Sequence, residues 1–403
     1  MATCIVAQAG GPTAVINSTL YGIIDEAKRV GIQRILGARG GIRGVIEEDF
    51  VELGTLDPST LSLIRTTPGA ILGGCRHRLS DSGAGVLEFQ RIMRVLDRHD
   101  ISFFFYIGGN DSMDTALKIQ NACQANGLDI SVIGIPKTVD NDICHTDHCP
   151  GYGSAAKFIA TAVIEAGLHA RSMFADEKVV ILETVGRNTG WLAASSALAR
   201  RRTDDPPHLV YLPEVDFSED KFLGDIDECV STLGGAFVVV AEGIRTRDGR
   251  LLGAVDEGRM SDPFGHPQLG EAASHLSRLV RTHLGLSVRY VKLDICQQSA
   301  IHLASRTDWE EAAIVGRRAV DYAIAGKSGV MVSLERAEGE GPAKTGCVPL
   351  VHVANVERRI PLEWIDSSGT FVTDQFISYL SPLILGEVPI PMEGGLPVYA
   401  KML

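Results

Sequence analysis

The feature that most constrains the fold is a repeated unit: an apolar run, a glycine-rich turn, then an amphipathic helix. "TCIVAQ" leads into "GGPTAVINSTLYGIIDEAKRVG" and on to "IQRILGARGG"; "ISFFFYIGGNDSMDTALKIQNACQANG" and "ISVIGIPKTVDND" repeat the pattern. Continuous apolar strands, each followed by a helix, are the signature of a parallel sheet covered on both faces. The unit starts again in "EKVVILETVGRNTGWLAASSALARR", "HLVYLPEV" with "SEDKFLGDIDECVSTLG", and "GAFVVVAEG". Residues 244–268 read as a long loop before the helix "LGEAASHLSRLVRTHLG". The strand "VRYVKLDI", the helix "DWEEAAIVGRRAVDYAIAG" and the strand "GVMVSLE" follow, and the last fifty or so residues read as mixed. The fold class is therefore α/β, with two Rossmann-like lobes, mainly parallel sheets and a cleft between them.

Composition narrows the function. The net charge of −12 over 403 residues argues against nucleic-acid or anionic-membrane binding, although local cations can still hold an anionic substrate. The N-terminal apolar run is short for a signal peptide, and no apolar run approaches the roughly 18 residues of a membrane span, so a cytoplasmic protein is expected. In "CHTDHC", Cys144, His145, His148 and Cys149 imitate a zinc ligand set. Structural zinc sites usually draw their ligand pairs from two separated segments, so a polar loop is the simpler reading.

Chemistry concentrates in the turns. Gly10-Gly11, Gly40-Gly41, Gly73-Gly74 and Gly108-Gly109 fall where doubly wound folds present amides and helix N-termini to phosphates. No complete dinucleotide or P-loop fingerprint occurs. In "IGGNDSMDTALK", helix capping explains one polar residue but not both Asn110 and Asp111, which together suit a metal-phosphate complex with Mg²⁺ held by few protein oxygens. In "IGIPKTVDND", Pro136 ends the strand, so the following residues project from its carboxyl end. Lys137 there suits a phosphate, and Asp140 suits the proton of an attacking hydroxyl. Phosphoryl transfer needs that set; the competing reading is an Asx-rich surface turn.

The motifs "QAGGPTAVIN", "GGCRHRLS", "YIGGNDSMDTALK", "PKTVDND", "PGYGSAAK", "ETVGRNTGWLA", "VVAEG", "GHPQLG" and "LASRTDWEEA" occur in the order of the phosphofructokinase family, from about residue 4 to about residue 335. The chain resembles that family, and most closely its pyrophosphate-dependent branch. The resemblance implies a donor lobe over 1–152 completed by about 296–350, a sugar-phosphate lobe over 153–295, and a C-terminal extension over 351–403. It implies Mg²⁺-dependent, reversible transfer from pyrophosphate to the 1-hydroxyl of fructose 6-phosphate. Asp140 would be the base, with Thr138 and Asp142 arranging acceptor and metal, and Gly11 and Arg76 would meet the donor. Val185, Gly186 and Arg187 would contact the sugar phosphate, Glu242 its hydroxyls, and Lys178 and Arg289 the 6-phosphate, reaching across a subunit interface of a homodimer or homotetramer.

Donor choice follows from Asp111 and Lys137, which stand where ATP-using relatives typically have glycine. A carboxylate about 4 Å from an α-phosphate costs about 4 kcal/mol at an effective dielectric near 20. Lys137 gives the short pyrophosphate a cation. Three departures qualify the resemblance. Asn110 replaces the usual Asp as metal residue, while Ile295 and Gln298 stand where relatives carry a Tyr or His and an Arg for the 6-phosphate. Lys292 is the candidate to compensate, and the helix after Asn17 lacks the arginine run of allosteric relatives, implying unregulated kinetics. The alternatives are an ATP-dependent 6-phosphofructokinase, a pyrophosphate-dependent kinase of another sugar phosphate such as sedoheptulose 7-phosphate, and a weakly catalytic regulatory subunit.

Overall fold

The computed structural model describes residues 2–80, 84–253, 269, 271–336 and 343–403. In chain order the elements are β1 (Thr3–Gln8), α1 (Ile16–Arg29), β2 (Arg34–Ala38), α2 (Ile42–Glu47), β3 (Phe50–Glu52), α3 (Pro58–Arg65), α4 (Ala84–Arg98), β4 (Ile101–Gly108), α5 (Asn110–Ala125), β5 (Ser131–Pro136) and α6 (Tyr152–Met173). Then come β6 (Val179–Thr184), α7 (Trp191–Ser195), β7 (Leu209–Tyr211), α8 (Glu219–Leu233), β8 (Ala236–Ala241), α9 (Ala272–Leu284), β9 (Val288–Lys292) and α10 (Cys296–Ser299). The chain closes with α11 (Arg306–Ile324), β10 (Val330–Glu335), β11 (Lys344–Pro349) and α12 (Asp374–Leu380). They divide into two compact units, the first formed by Met1–Ser154, Ser299–Arg358 and Gly386–Leu403, the second by Ala155–Gln298 and Arg359–Leu385.

The first unit is built on a seven-stranded sheet in the order β11-β10-β5-β4-β1-β2-β3. Its five inner strands run parallel, and the edge strands β11 and β3 are antiparallel to their neighbours. Because successive side chains alternate across a strand, Cys4 and Val6 enter one core with α1 and α11, while Ile5 and Ala7 enter the other with α4 and α5. Strand β1 lies between β2 and β4, so the connections leaving it and β4 diverge. A crevice opens at the carboxyl ends of such strands, and ligands of doubly wound folds sit there. The C-terminal tail belongs to this unit: the Leu403 N–H donates to the Ile71 carbonyl (3.2 Å) and the Ala400 N–H to the Thr67 hydroxyl (2.9 Å).

The second unit carries a four-stranded parallel sheet in the order β7-β8-β6-β9. Every residue of β6 and β8 is buried, as two covered faces require. The segment 359–385 is rooted in this unit by an aromatic cluster, with Trp191 about equally close to Trp364, Phe376 and Tyr379 at ring separations of 6.1, 6.1 and 5.6 Å. Of the expected loop over 244–268, residues 254–268 lie outside the described residues. No helix among the described residues is long and apolar enough to cross a membrane.

Helices α1 and α11 meet backbone to backbone. A Cβ on Gly22 would lie 2.1 Å from the Ala313 carbonyl oxygen, and one on Gly316 would lie 2.2 Å from that of Thr19. Replacing either glycine by Ala forces the helices apart, and overpacking outweighs the gain of helix propensity. We expect Gly22→Ala to lower unfolding free energy by about 1–3 kcal/mol. Urea denaturation measures it, and an unchanged midpoint would show that the two helices tolerate a wider spacing.

Candidate active site

The glycine turns of the first unit come together. The Gly10 N–H donates to the Cys75 carbonyl (3.2 Å) and the Gly40 N–H to that of Leu72 (2.8 Å). A Cβ on Gly74 would stand 2.9 Å from the Gly10 carbonyl oxygen, and one on Gly41 would stand 2.9 Å from that of Gln8. Close backbone approach explains Gly41 and Gly74, and positive φ explains Gly10, Gly40 and Gly73. Two buried amides that the sequence reading passed over hold the arrangement. Gln8 Nε2 donates to Asn17 Oδ1 (2.9 Å), Asn17 Nδ2 donates to the carbonyls of Thr67 and Gly69 (2.8 and 2.7 Å), and Leu72 N–H donates to Gln8 Oε1 (3.0 Å). In the sequence they stand at the two ends of the motif "QAGGPTAVIN", at the end of a strand and the start of a helix.

Lys137 continues from β5 into this cluster. Its backbone N–H donates to the Gly108 carbonyl (3.0 Å), and its Nζ donates to the Gly11 carbonyl (2.5 Å). The side chain is buried, and burial pushes the ammonium down to about 8; Asp140 and Asp142 oppose the shift, and Arg76 adds to it. Arg76 itself is exposed. Asp111, also exposed, stands in the first turn of α5, where the helix N-terminus favours an anion.

Beyond Lys137 the chain turns sharply. The Asp140 N–H donates to the Thr138 hydroxyl (3.0 Å), the Thr138 N–H to the Pro150 carbonyl (3.3 Å) and the Cys149 N–H to Asn141 Oδ1 (3.0 Å). Asn141 has φ of 53°, a left-handed conformation that Asn tolerates better than most residues. Asn110 Nδ2 donates to both the carbonyl and Oδ2 of Asp142, each at 3.1 Å. That leaves Asn110 Oδ1 and Asp142 Oδ1, both buried, without a hydrogen-bond partner among the described residues. The Asp142 carboxyl is pushed up to about 7 by burial, then by Asp140 and by Glu357, an acid the sequence reading did not single out. Two unpartnered buried oxygens among like charges fit a hard divalent cation. Among the described residues no three His, Cys, Asp or Glu side chains gather as a protein-only metal cage. In "CHTDHC", His145 is exposed, and both ring nitrogens of His148 are bonded to carboxylates.

The second unit gathers its residues at the carboxyl ends of β6 and β8. The Gly186 N–H donates to Glu242 Oε1 (3.3 Å), the Glu242 N–H to the Thr184 carbonyl (3.0 Å) and the Gly243 N–H to that of Gly186 (3.1 Å), which sets Val185, Gly186 and Arg187 beside Glu242. Burial raises the Glu242 carboxyl above the usual range; the Gly186 amide and Arg187 counter that shift. At the end of β9, Ile295 is 70% exposed and Gln298 is half-buried in the short helix α10. Lys292 stands 3.4 Å from Glu271 and 3.9 Å from the buried Glu183.

Lys178 and Arg289 are not part of that group. Lys178 precedes β6 and Arg289 pairs with Val180 near its start, so both lie at the amino ends of the strands. The length of a six-residue strand, roughly 17–20 Å, separates them from Gly186. Arg289 is bonded there to Glu177, at 2.7 Å through Nε.

Comparison with known proteins identifies the family. Residues 3–322 match the profile of the family described as Phosphofructokinase. A protein of Xanthomonas campestris pv. campestris named pyrophosphate--fructose 6-phosphate 1-phosphotransferase is 40% identical over 99% of this chain and 95% of its own length. Crystal structures of pyrophosphate-dependent phosphofructokinases from Marinobacter aquaeolei and Nitrosospira multiformis superpose with a TM-score of 0.89 each. They are 36% and 38% identical, cover 100% and 98% of this chain, and are themselves covered over 96% and 95%. The chain belongs to the phosphofructokinase family.

One consequence concerns Asp142. Its folded value of about 7 exceeds the ordinary 3.8, so its contribution to stability is full below the ordinary value and is lost as pH rises through 7. Asp142→Asn should therefore stabilise the metal-free protein at pH 8, by on the order of 1–3 kcal/mol, with a gain that shrinks toward pH 4. Urea melts at the two pH values measure it; a variant less stable than the parent at pH 8 would contradict the assignment.

Proposed function

We propose that the chain is a Mg²⁺-dependent phosphotransferase that moves phosphate reversibly between pyrophosphate and the 1-hydroxyl of fructose 6-phosphate, giving fructose 1,6-bisphosphate and phosphate. The observation that carries this reading is the buried ammonium of Lys137 against the Gly10-Gly11 turn, where a Cβ on Gly10 would lie only 3.3 Å from Nζ. A cation sunk into the turn suits a short, highly charged donor, and Asp111 repels the α-phosphate of a nucleotide. Relatives of 40% identity that carry this activity in their names support it.

The first unit supplies donor binding and the base, and the second supplies the sugar-phosphate contacts. Gly11, Arg76 and Lys137 hold pyrophosphate. Asp140 takes the proton of the 1-hydroxyl as that oxygen attacks phosphorus, and Thr138 orients the acceptor beside it. Asn110 and Asp142 would hold Mg²⁺ through their unpartnered oxygens, and the ion supplies charge neutralisation on the donor phosphates. In the second unit the Gly186 turn and Arg187 hold the sugar phosphate, and Glu242 accepts from its hydroxyls. Lys292 takes part of the role that uncharged Ile295 and Gln298 leave open. Lys178 and Arg289, remote from Gly186 along the strands, serve the 6-phosphate of a partner subunit in a homodimer or homotetramer. The enzyme works in the cytoplasm.

Asp140→Ser should lower kcat by roughly 10²–10⁴-fold without unfolding the protein; a folded variant with near-parental turnover removes Asp140 as the base. Asp111→Gly with Lys137→Gly should admit ATP as donor, read as initial rates with either donor at equal concentration. If the double variant still uses pyrophosphate alone, donor choice resides elsewhere. With Lys137 titrating near 8, its charge is present below that pH and lost above it. The kcat/KM for pyrophosphate should therefore fall as pH rises past 8, and a profile flat to pH 9.5 would show that the lysine is not the donor cation.

A further inference from the structure

The proposed chemistry does not use a buried charged group that lies directly beneath its loop. His148 is almost fully buried, with Nδ1 at 2.8 Å from Asp147 Oδ2 and Nε2 at 2.6 Å from Glu311 Oε2, the latter buried on α11. A neutral imidazole donates from one nitrogen only, so two carboxylate partners call for the doubly protonated ring. Burial alone would strip that proton, but Asp147 and Glu311 outweigh it and raise the ring to about 9. The other charged groups around it are Arg336, which donates to Asp147 Oδ2 (3.0 Å), Asp308, one turn before Glu311, and Arg358.

We propose that His148 is a positioning residue for the phosphoryl-transfer loop: its imidazolium, clamped between Asp147 and Glu311, fixes the returning arm of residues 146–150 and through it the placement of Thr138, Asp140 and Asp142. This rests on the proposed reaction. Three ties carry the coupling. The Asn141 side chain accepts from the Cys149 N–H next to His148, and the Thr138 N–H donates to the Pro150 carbonyl. Arg358 spans the rest, with its backbone N–H on the Asp142 carbonyl (2.7 Å) and its guanidinium on those of Thr146 and Asp147 (2.6 and 2.5 Å). Asn141 and His145 both have positive φ, at 53° and 60°, a conformation that persists only where surrounding contacts impose it. A buried ion triad is poor stabilising material, since apolar replacements are often as stable; what it enforces is one geometry.

The test compares His148→Gln, Glu311→Gln and the double variant, in which two neutral amides restore a hydrogen bond without charge. Each single variant should lose roughly tenfold to a hundredfold in kcat, with KM for pyrophosphate and fructose 6-phosphate within about twofold. The double variant should regain most of the loss, a recovery that simple structural damage does not give. A folded His148→Gln or Glu311→Gln protein with kcat within about twofold of the parent overturns the proposal. If both single variants fail to fold, the triad is a folding element and the proposal also falls. Should the parent itself be inactive with pyrophosphate and fructose 6-phosphate, the reaction is wrong. Amide hydrogen exchange over 138–142 then decides the positioning role, with faster exchange in His148→Gln supporting it and unchanged exchange refuting it.

Discussion

The turns of the first unit depend on one constraint, the burial of a lysine ammonium against a backbone carbonyl. Lys137 Nζ meets the Gly11 carbonyl in a space that any side chain on Gly10 would narrow. A desolvated cation requires nearby negative charge, and Asp140 and Asp142 provide it. Those acids are then crowded by each other, which raises Asp142 and leaves its oxygen wanting a cation of its own. The glycines, the sharp turn after Pro136 and the acid pair are thus parts of one electrostatic arrangement.

The sequence was most informative where the physics is local. Continuous apolar runs and period-3.6 hydrophobicity marked β1, α1, β4, α5 and β5, and the paired glycines marked the turns that converge at their ends. The acidic residues of "PKTVDND" were legible because so many polar groups after a buried strand need a reason. Partners brought in from afar were not legible. Nothing near position 148 announces Glu311, and nothing near Asn17 announces the carbonyls of Thr67 and Gly69. Glu357 reaches Asp142 only because Ile143 pairs with it across an isolated bridge. The short helix α3 and the edge strand β11 went unread, and so did α4, although its amphipathic pattern is continuous over 84–98.

The second unit shows how a resemblance and a geometry inform each other. Gly186 and Glu242 share a hydrogen bond at adjacent strand ends, where family motifs place sugar recognition. The resemblance also assigns Lys178 and Arg289 to the sugar phosphate, yet they stand at the opposite ends of their strands. Sequence order does not say at which end of a sheet a residue stands; strand polarity does.

The nesting of the chain bears on how it is made. The second unit is largely encoded by one continuous stretch, Ala155–Gln298, whereas the first needs strand β10 and the tail at 386–403. On the ribosome the four strands of the inserted unit can therefore pair first, with its segment 359–385 added later, while β5 waits with an open edge for β10 to pair beside Ile133 and Gly134. An unpaired buried-type strand is a template for association with another chain. Stalled or shortened synthesis would thus reveal itself first in the unit that synthesis began, as aggregation through the edge of β5.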